Sequence, residues 1–340
     1  MMKYIKLFIP VLVAMIIFIL PTPEGLSQNT WLYFSIFIGV VIGLILEPIP
    51  AALVGLVGVG ICIWFKIGPA GSGDVTKVIK SSEAVSWGLA GFSNSTVWLI
   101  FAAFMIGLGY QKSGLGRRMA LILIKLLGKT TLGLGYAIAI ADGILAPFIP
   151  SNSARSGGTL YPIVSSIPPM IGSYPDKEPR KIGGYLIWVS LAATCVTSSM
   201  FFTGLAPNLL AMETATKSGV EAISWFGWFM AFLPAGIILF IATPYLTYIF
   251  YPPTSKGSKE ASIWAGEELK KIGSITSKEW SMIGLAFFAL IFWIFGDFFN
   301  VNATTVALSV MIAMVLLNII TWDDVLTNKA AWGVLAWFGS

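Results

Sequence analysis

The sequence predicts an all-α, polytopic membrane protein, and three features of its composition support this class. Of its 340 residues, 56% are hydrophobic and only 11% are charged, whereas soluble domains carry about 25% charged residues. The mean hydropathy is +0.84. Several apolar runs approach the ~20 residues that a helix needs to cross a bilayer. We therefore expect about nine transmembrane helices plus one re-entrant helical hairpin, rather than a soluble fold.

Composition also excludes several kinds of chemistry. The chain contains no histidine, which excludes histidine-based catalytic triads, imidazole metal sites and imidazole proton relays. Cys62 and Cys195 lie in apolar runs without partner spacing, and we interpret both as core hydrophobes. We expect no enzyme activity, no metal site and no cofactor, with sodium possible but disfavoured. Basic cytoplasmic loops account for the net charge of +5, so no nucleic-acid partner is expected.

The apolar runs and polar breaks divide the chain into five parts. The basic, amphipathic segment 113–129 is interpreted as a helix at the membrane interface, or alternatively as a short helix packed on the protein. The first predicted part, 1–129, contains four helices and this segment. The second part, 130–219, contains a hairpin at 131–167 and a broken helix at 182–217. The other three parts are one helix at 220–250, a cytoplasmic linker at 251–279 and a further set of apolar runs at 280–340.

The distribution of basic residues predicts the orientation. With a cytoplasmic N-terminus and a hairpin that returns to its side of entry, about sixteen basic residues lie inside and about four outside, as the positive-inside rule requires. No segment rich in arginine and serine precedes the first helix, as an organelle transit peptide would. We therefore expect a multi-pass protein of the bacterial inner membrane, in preference to the plastid inner envelope.

The stretch GILAPFIPSNSARSGGTLYP, at 143–162, interrupts apolar sequence with polar and helix-breaking residues. Pro147 and Pro150 remove backbone donors, and carbonyls freed inside a membrane must be satisfied by protein, water or an ion. Ser151, Asn152 and Ser153 then stand at the start of a second helical arm, where such side chains cap helices. Free N–H groups and the positive end of the helix dipole favour an anion there.

Two simpler interpretations of this stretch stay open at the level of sequence. It could join two tilted helices through an external loop, or its prolines could kink one packed helix. The re-entrant hairpin is preferred because neither apolar arm comfortably crosses a core of ~30 Å.

Arg155 places a fixed positive charge beside the tip of this hairpin. Its planar fork suits a carboxylate, and an ionisable residue inside a membrane is a functional candidate. We predict contact with an anionic substrate, while a structural ion pair with Asp142 is the alternative. Gly157 and Gly158 would allow a ligand or another helix to approach closely.

A second polar break occurs in VTSSMFFTGLAPNLLA, at 196–211. Paired interrupted helices are typical of transporter binding sites, although a simple proline kink is the alternative. The predicted substrate-binding residues are Ser151, Asn152, Ser153, Arg155, Gly204, Pro207 and Asn208.

These motifs resemble those of the divalent-anion:sodium symporter (DASS) family. The family carries a Ser-Asn-Thr signature at a hairpin tip, which here is Ser151-Asn152-Ser153, and an unwound loop similar to GLAPN at 204–208. The segment FAAFMIGLGYQKSGLGRRMAL, at 101–121, resembles the family's fourth helix and interfacial helix. The stretch PSNSARSGGTLYPI looks most like the branch of 2-oxoglutarate/malate translocators and citrate/succinate and tartrate/succinate antiporters.

The resemblance implies an inverted-repeat fold, a scaffold and a mobile transport domain. It also implies elevator-type alternating access and a homodimer in the bilayer. On this basis 1–129 is scaffold and 130–219 is half of the transport domain. The hairpin tip and the 204–208 loop would hold a substrate carboxylate. A less favoured ion site would use Ser151, Asn152 and Thr203.

Two departures from the family pattern favour exchange of one anion for another. Pro147 stands where sodium-coupled members carry a hydroxyl, and Thr197-Ser198 replaces their Gly-Gly pair. We expect a secondary transporter of malate, succinate, 2-oxoglutarate, citrate or tartrate. A sodium-coupled dicarboxylate symporter is the first alternative, and an anion channel or a non-transporting fragment is the second.

A faint internal similarity suggests that a second repeat begins near the end of the chain. AVSWGLAGFSNSTVWLIF and NKAAWGVLAWFGS both place Trp-Gly ahead of an apolar run, and each follows a pair of apolar runs. We expect the first inverted repeat to be complete and the second partial, in a chain truncated before a second hairpin.

Overall fold

The computed structural model describes residues 2–67 and 79–340. No strand is present in this part of the chain, and one isolated antiparallel bridge joins Thr130 to Gly257. The first helices are α1 (Met2–Ile19), α2 (Gln28–Leu46), α3 (Ala51–Trp64), α4 (Ser81–Gly88), α5 (Ser95–Ser113), α6 (Leu115–Leu127), α7 (Thr131–Leu145), α8 (Tyr161–Val164) and α9 (Ile167–Met170).

The remaining helices follow two further breaks and a polar linker. They are α10 (Gly183–Met200), α11 (Ala206–Lys217), α12 (Trp225–Phe250), α13 (Lys259–Ile272), α14 (Ser277–Ile294), α15 (Gly296–Phe299), α16 (Ala303–Leu316), α17 (Trp322–Thr327) and α18 (Lys329–Gly339). A π-helix at Ser153–Leu160 leads into α8, and a 3₁₀ turn at Phe202–Gly204 separates α10 from α11.

Four of the described helices are long and apolar enough to cross a membrane, namely α2, α10, α12 and α14. Shorter apolar helices lie at Ile5–Ile19, Ala51–Trp64, Thr131–Leu145 and Ala303–Leu316. The predicted all-α, polytopic membrane class is therefore confirmed.

The chain forms two compact units. The first comprises residues 1–101 and 329–340, and the second comprises residues 102–328. The proposed division into scaffold and transport domain stays a prediction.

In the first unit, glycines allow the helices to approach one another closely. A Cβ atom added to Gly39 would lie 3.0 Å from the Cβ of Ala14 in α1, and one added to Gly43 would lie 2.9 Å from a methyl group of Val54 in α3. The last helix, α18, packs on α3 through Gly55, whose added Cβ would overlap the side chain of Ser340. Small residues at helix contacts are typical of packing inside membranes.

In the second unit, α6 is amphipathic as predicted, but Arg118 does not lie on its polar face. Its side chain is buried, because it stands one turn from the buried residues Leu115 and Leu121 on the same side of the helix. Its guanidinium donates to Glu279 at 2.6 Å and 3.1 Å. It also donates to the carbonyl of Gly273 at 2.9 Å. The inner face of α6 therefore packs on α7 and on the linker.

Candidate functional site

The predicted hairpin contains a true interruption between its two arms. α7 ends at Leu145, residues 146–151 are non-helical, and the second arm begins as a π-helix at Ser153. The hydroxyl of Ser151 accepts a hydrogen bond from the backbone N–H of Ala154 at 3.3 Å, so the predicted cap is present there. Asn152 makes no capping bond. The π-helical form was not predicted, and such segments occur frequently at functional sites.

Three backbone carbonyls at the tip accept hydrogen bonds from protein groups. Pro147 O accepts from the Thr203 hydroxyl at 2.5 Å, and Pro150 O accepts from the backbone N–H of Ala206 at 3.1 Å. Ile149 O accepts from Arg155 Nη1 at 2.8 Å. Thr203 and Ala206 belong to the second broken segment, so the two interruptions are bonded directly to each other.

The second interruption is stabilised by one of its own predicted site residues. Asn208 Nδ2 donates to Ser198 O at 2.8 Å and to Phe201 O at 3.1 Å, which satisfies carbonyls at the end of α10. The Thr203 hydroxyl also accepts from Trp225 Nε1 at 3.0 Å. Pro207 is exposed at the start of α11. The loop is thus a fixed structure rather than a kink in one helix.

Arg155 is completely buried and stands behind the tip. Its Nε donates to both carboxylate oxygens of Asp142, each at 3.1 Å. Its Nη1 donates to Ile149 O and to Gly204 O, at 2.8 Å and 3.1 Å. Its Nη2 donates to Asn152 Oδ1 at 3.2 Å and to the Thr194 hydroxyl at 3.0 Å. All five N–H donors of the guanidinium therefore have acceptors within the protein.

The structure thus contains the Arg155–Asp142 ion pair that the sequence left as the alternative to substrate contact. Both side chains are at most 1% exposed. The Thr197 hydroxyl also donates to Asp142 Oδ2, so the carboxylate is held by α10 as well as by the hairpin. Direct contact between Arg155 and an anion stays a prediction.

Thr194 and Thr197 were not predicted to be members of this network. Their signal was present, because two hydroxyl residues three positions apart lie on one face of an apolar helix. Nothing in the sequence indicated that this face would meet Arg155.

Several residues at the two interruptions remain accessible. Ser153, Gly157 and Pro207 are exposed, and Ser151 and Asn152 are partly exposed. Because Asn152 presents its carbonyl oxygen to Arg155, its amide nitrogen is left to donate elsewhere, and it has no partner among the described residues. A polar donor next to a buried positive charge is suited to a carboxylate.

The same hydrogen bonds determine which oxygens are available to a sodium ion. Sodium would be held by carbonyl, hydroxyl and amide oxygens of the type present here. Around the tip, however, Ile149 O, Gly204 O and Asn152 Oδ1 already accept from the guanidinium. The hydroxyl of Thr203, one of the predicted ion ligands, donates to Pro147 O. These oxygens are therefore already used in hydrogen bonds within the protein.

Gly204→Ala is expected to destabilise the protein by about 1–3 kcal/mol, the usual range for overpacking. An added Cβ would lie 3.1 Å from Ser198 O and 3.3 Å from Ser198 Cα, which are backbone atoms that cannot easily move. Denaturant titration of the purified protein in detergent measures the change. Gly284→Ala is the matched control, because an added Cβ meets nothing within 4 Å there. Equal stability of the two variants would contradict the tight packing at Gly204.

Comparison with known proteins identifies the family to which this arrangement belongs. Residues 1–340 match the family described as the sodium:sulfate symporter transmembrane region. The chain belongs to this family. The predicted membership of the divalent-anion:sodium symporter family is therefore confirmed.

Several curated relatives of the chain are antiporters. The chain is 45% identical over 340 residues to a citrate/succinate antiporter of Escherichia coli (strain K12), covering 97% of this chain and 68% of the relative. It is 46% identical over 336 residues to an L-tartrate/succinate antiporter of the same strain, covering 97% and 69%. The match to an L-tartrate/succinate antiporter of Shigella flexneri has the same identity and coverage. The family is one of transport proteins, in agreement with the prediction that this protein is not an enzyme.

Proposed function

We propose that this protein is a secondary transporter that exchanges di- and tricarboxylate anions across the bacterial inner membrane. The relatives named as citrate/succinate and L-tartrate/succinate antiporters support the substrate class. Malate and 2-oxoglutarate offer two carboxylates at similar spacing and belong to the same class. The main observation behind the proposal is the buried guanidinium of Arg155. Its Nη2 donates to Asn152 Oδ1 at 3.2 Å, and Asn152 lies at the accessible tip.

In the proposed site, the anion binds to the exposed side of the tip rather than inside the Arg155 network. Ser151, Asn152 and Ser153 supply donors from the hairpin, and residues 204–208 form the facing wall. Arg155 contributes its charge and fixes the orientation of the Asn152 amide. Direct bonding to Arg155, as predicted from sequence, would require one of its present acceptors to be released.

The Arg155 network also supports exchange in preference to sodium-coupled symport. The guanidinium of Arg155 is neutralised by Asp142 at 3.1 Å. The region that an anion leaves behind therefore carries no net charge from this pair. The site therefore has a dipolar rather than a strongly cationic character. The backbone and amide oxygens around the tip already accept hydrogen bonds from Arg155, so they are not free to hold the sodium ion that a symporter would bind.

The proposal includes an elevator-type movement of the hairpin and the broken helix as one body. The hydrogen bonds of Pro147 O to Thr203 and of Pro150 O to Ala206 support this, because they join the two interruptions. A homodimer and a cytoplasmic N-terminus complete the proposal. An anion channel is disfavoured because paired broken helices are typical of alternating-access transporters.

Exchange is tested with the full-length protein in proteoliposomes. Vesicles loaded with unlabelled succinate are expected to take up labelled citrate, tartrate or succinate in the absence of sodium, because the tip oxygens that could hold sodium already accept hydrogen bonds from Arg155. Vesicles without internal anion are expected to take up little. The measurement is the initial rate of uptake with and without external sodium.

Each alternative gives a different result in this assay. Uptake that collapses when external sodium is removed would indicate symport and overturn the exchange mechanism. Rapid uptake into unloaded vesicles, with large unitary currents in planar bilayers, would indicate a channel. Absence of uptake under all conditions would overturn the transport proposal for these substrates.

A further inference from the structure

A basic surface on the second unit has no part in the proposed transport site. One side of it forms where the segment after α6 meets the segment after α12. Thr131 N donates to Lys256 O at 3.2 Å, and Ser258 N donates to Lys129 O at 3.2 Å. The Thr131 hydroxyl donates to Ser255 O at 2.7 Å. These bonds are made by backbone groups and short hydroxyls, so the basic side chains are not used to hold the segments together.

A third segment joins the same surface just before α10. Thr254 N donates to Arg180 O at 3.0 Å, and Ser255 N donates to Lys181 O at 3.1 Å. We name Lys129, Arg180, Lys181 and Lys256 the basic cluster. Three distant parts of the chain are thereby fixed side by side, each contributing positive charge.

The charges of the basic cluster are not balanced by acidic partners. Within the described residues, no member of the basic cluster forms an ion pair, because none has a side-chain nitrogen within 4.0 Å of an Asp or Glu oxygen. Three further lysines without an ion pair lie near the cluster in sequence, namely Lys125, Lys177 and Lys259. The acidic residues nearby in sequence are Asp176, Glu178 and Glu260. Elsewhere in this unit Lys112, Arg117, Arg118, Lys217 and Lys271 are paired, whereas Lys270 and Lys278 have no ion pair among the described residues. The basic cluster is thus a surface with an excess of positive charge and without ion pairs among the described residues.

Apolar side chains are exposed immediately beside this charge. Leu126, in the last turn of α6, is 65% exposed, and Phe250, at the end of α12, is 79% exposed. The guanidinium of Arg180 lies 5.0 Å from the centre of the Tyr251 ring. Aromatic and basic residues next to exposed apolar residues are typical of the membrane–water interface.

We propose that the basic cluster binds the phosphate group of an anionic phospholipid such as phosphatidylglycerol. The phosphodiester provides the missing negative charge, and the acyl chains cover Leu126 and Phe250. A zwitterionic lipid carries its own positive charge close to the phosphate, so it complements the cluster less well. Inorganic phosphate lacks the acyl chains and does not reach the exposed apolar residues. The site is separate from the proposed anion-exchange site and does not depend on that function.

The test compares the full-length wild-type protein with the variant Lys129→Gln/Arg180→Gln/Lys256→Gln. Backbone bonds between the segments are kept, so the variant is expected to fold. The midpoint of thermal unfolding in a neutral detergent is measured while phosphatidylglycerol, phosphatidylcholine or inorganic phosphate is titrated. Phosphatidylglycerol is expected to raise the wild-type midpoint, and its apparent affinity for the variant is expected to fall at least about 10-fold, because each basic residue contributes to binding an anionic surface.

A control with the same loss of charge shows whether the position of the charges matters. Lys6→Gln/Lys278→Gln/Lys329→Gln removes exposed lysines that lie outside the basic cluster and have no ion pair within the described chain. Its affinity for phosphatidylglycerol is expected to stay within about twofold of wild type. The proposal is overturned by unchanged affinity of the cluster variant, by equal weakening in the control, or by an equal effect of inorganic phosphate.

Discussion

Asp142→Ala is expected to destabilise the protein by about 3–5 kcal/mol, the cost of removing one partner from a buried ion pair. The substitution leaves the guanidinium of Arg155, which is fully buried, without its counter-charge. It also removes one of the two acceptors of the Thr197 hydroxyl, the other being Thr194 O at 3.3 Å. Equilibrium unfolding in mixed micelles, followed by far-ultraviolet circular dichroism, measures the loss.

A double-variant cycle separates this ion pair from general damage to the core. The destabilisation of Asp142→Ala/Arg155→Met is expected to be smaller than the sum of the two single variants, because the double variant contains no unpaired charge. Lys217→Ala is the surface control. Its ion pair with Glu213 has side chains 73% and 18% exposed, and its loss is expected to cost less than about 1 kcal/mol. Strict additivity in the cycle would show that Asp142 and Arg155 do not stabilise each other.

The positions of both helix interruptions could be predicted because their causes are local. Pro147 and Pro150 cannot donate backbone hydrogen bonds, and hydroxyl and amide side chains near them compete for the freed groups. The same applies to the break at 201–205, where Pro207 and Asn208 follow Gly204. A chain this apolar can contain such residues only where other groups satisfy the backbone. Local chemistry therefore indicated where the two interruptions lie.

The partners of the buried charges could not be predicted, because they depend on contacts between distant segments. Arg118 bonds to Glu279, 161 positions away, and Arg155 bonds to Thr194, 39 positions away. Helical periodicity places Arg118 on the same face as Leu121, but arginine on an amphipathic helix is more often solvated. The register between helices decides which interpretation is correct, and a single sequence does not contain that register. For Arg155 the sequence offered two alternatives for the same reason.

Asn152→Ala is expected to lower the rate of carboxylate exchange by about 10- to 100-fold, which corresponds to one lost hydrogen bond to a charged group. The side chain stands between the Arg155 network and the accessible side of the tip. Its carbonyl accepts from Arg155 Nη2 at 3.2 Å, and its amide is proposed to donate to the substrate carboxylate. Exchange of labelled succinate in proteoliposomes measures the effect.

Thr194→Val distinguishes contact with the anion from support of Arg155. Thr194 and Asn152 each accept from Arg155 Nη2, at 3.0 Å and 3.2 Å. Each variant therefore removes one acceptor from the same donor group, and similar losses of stability are expected. Only Asn152 lies at the accessible tip, whereas Thr194 is 3% exposed. If Asn152 binds the anion, its variant loses far more exchange activity than Thr194→Val at comparable stability. Equal losses of exchange in the two variants would mean that Asn152 acts only through Arg155.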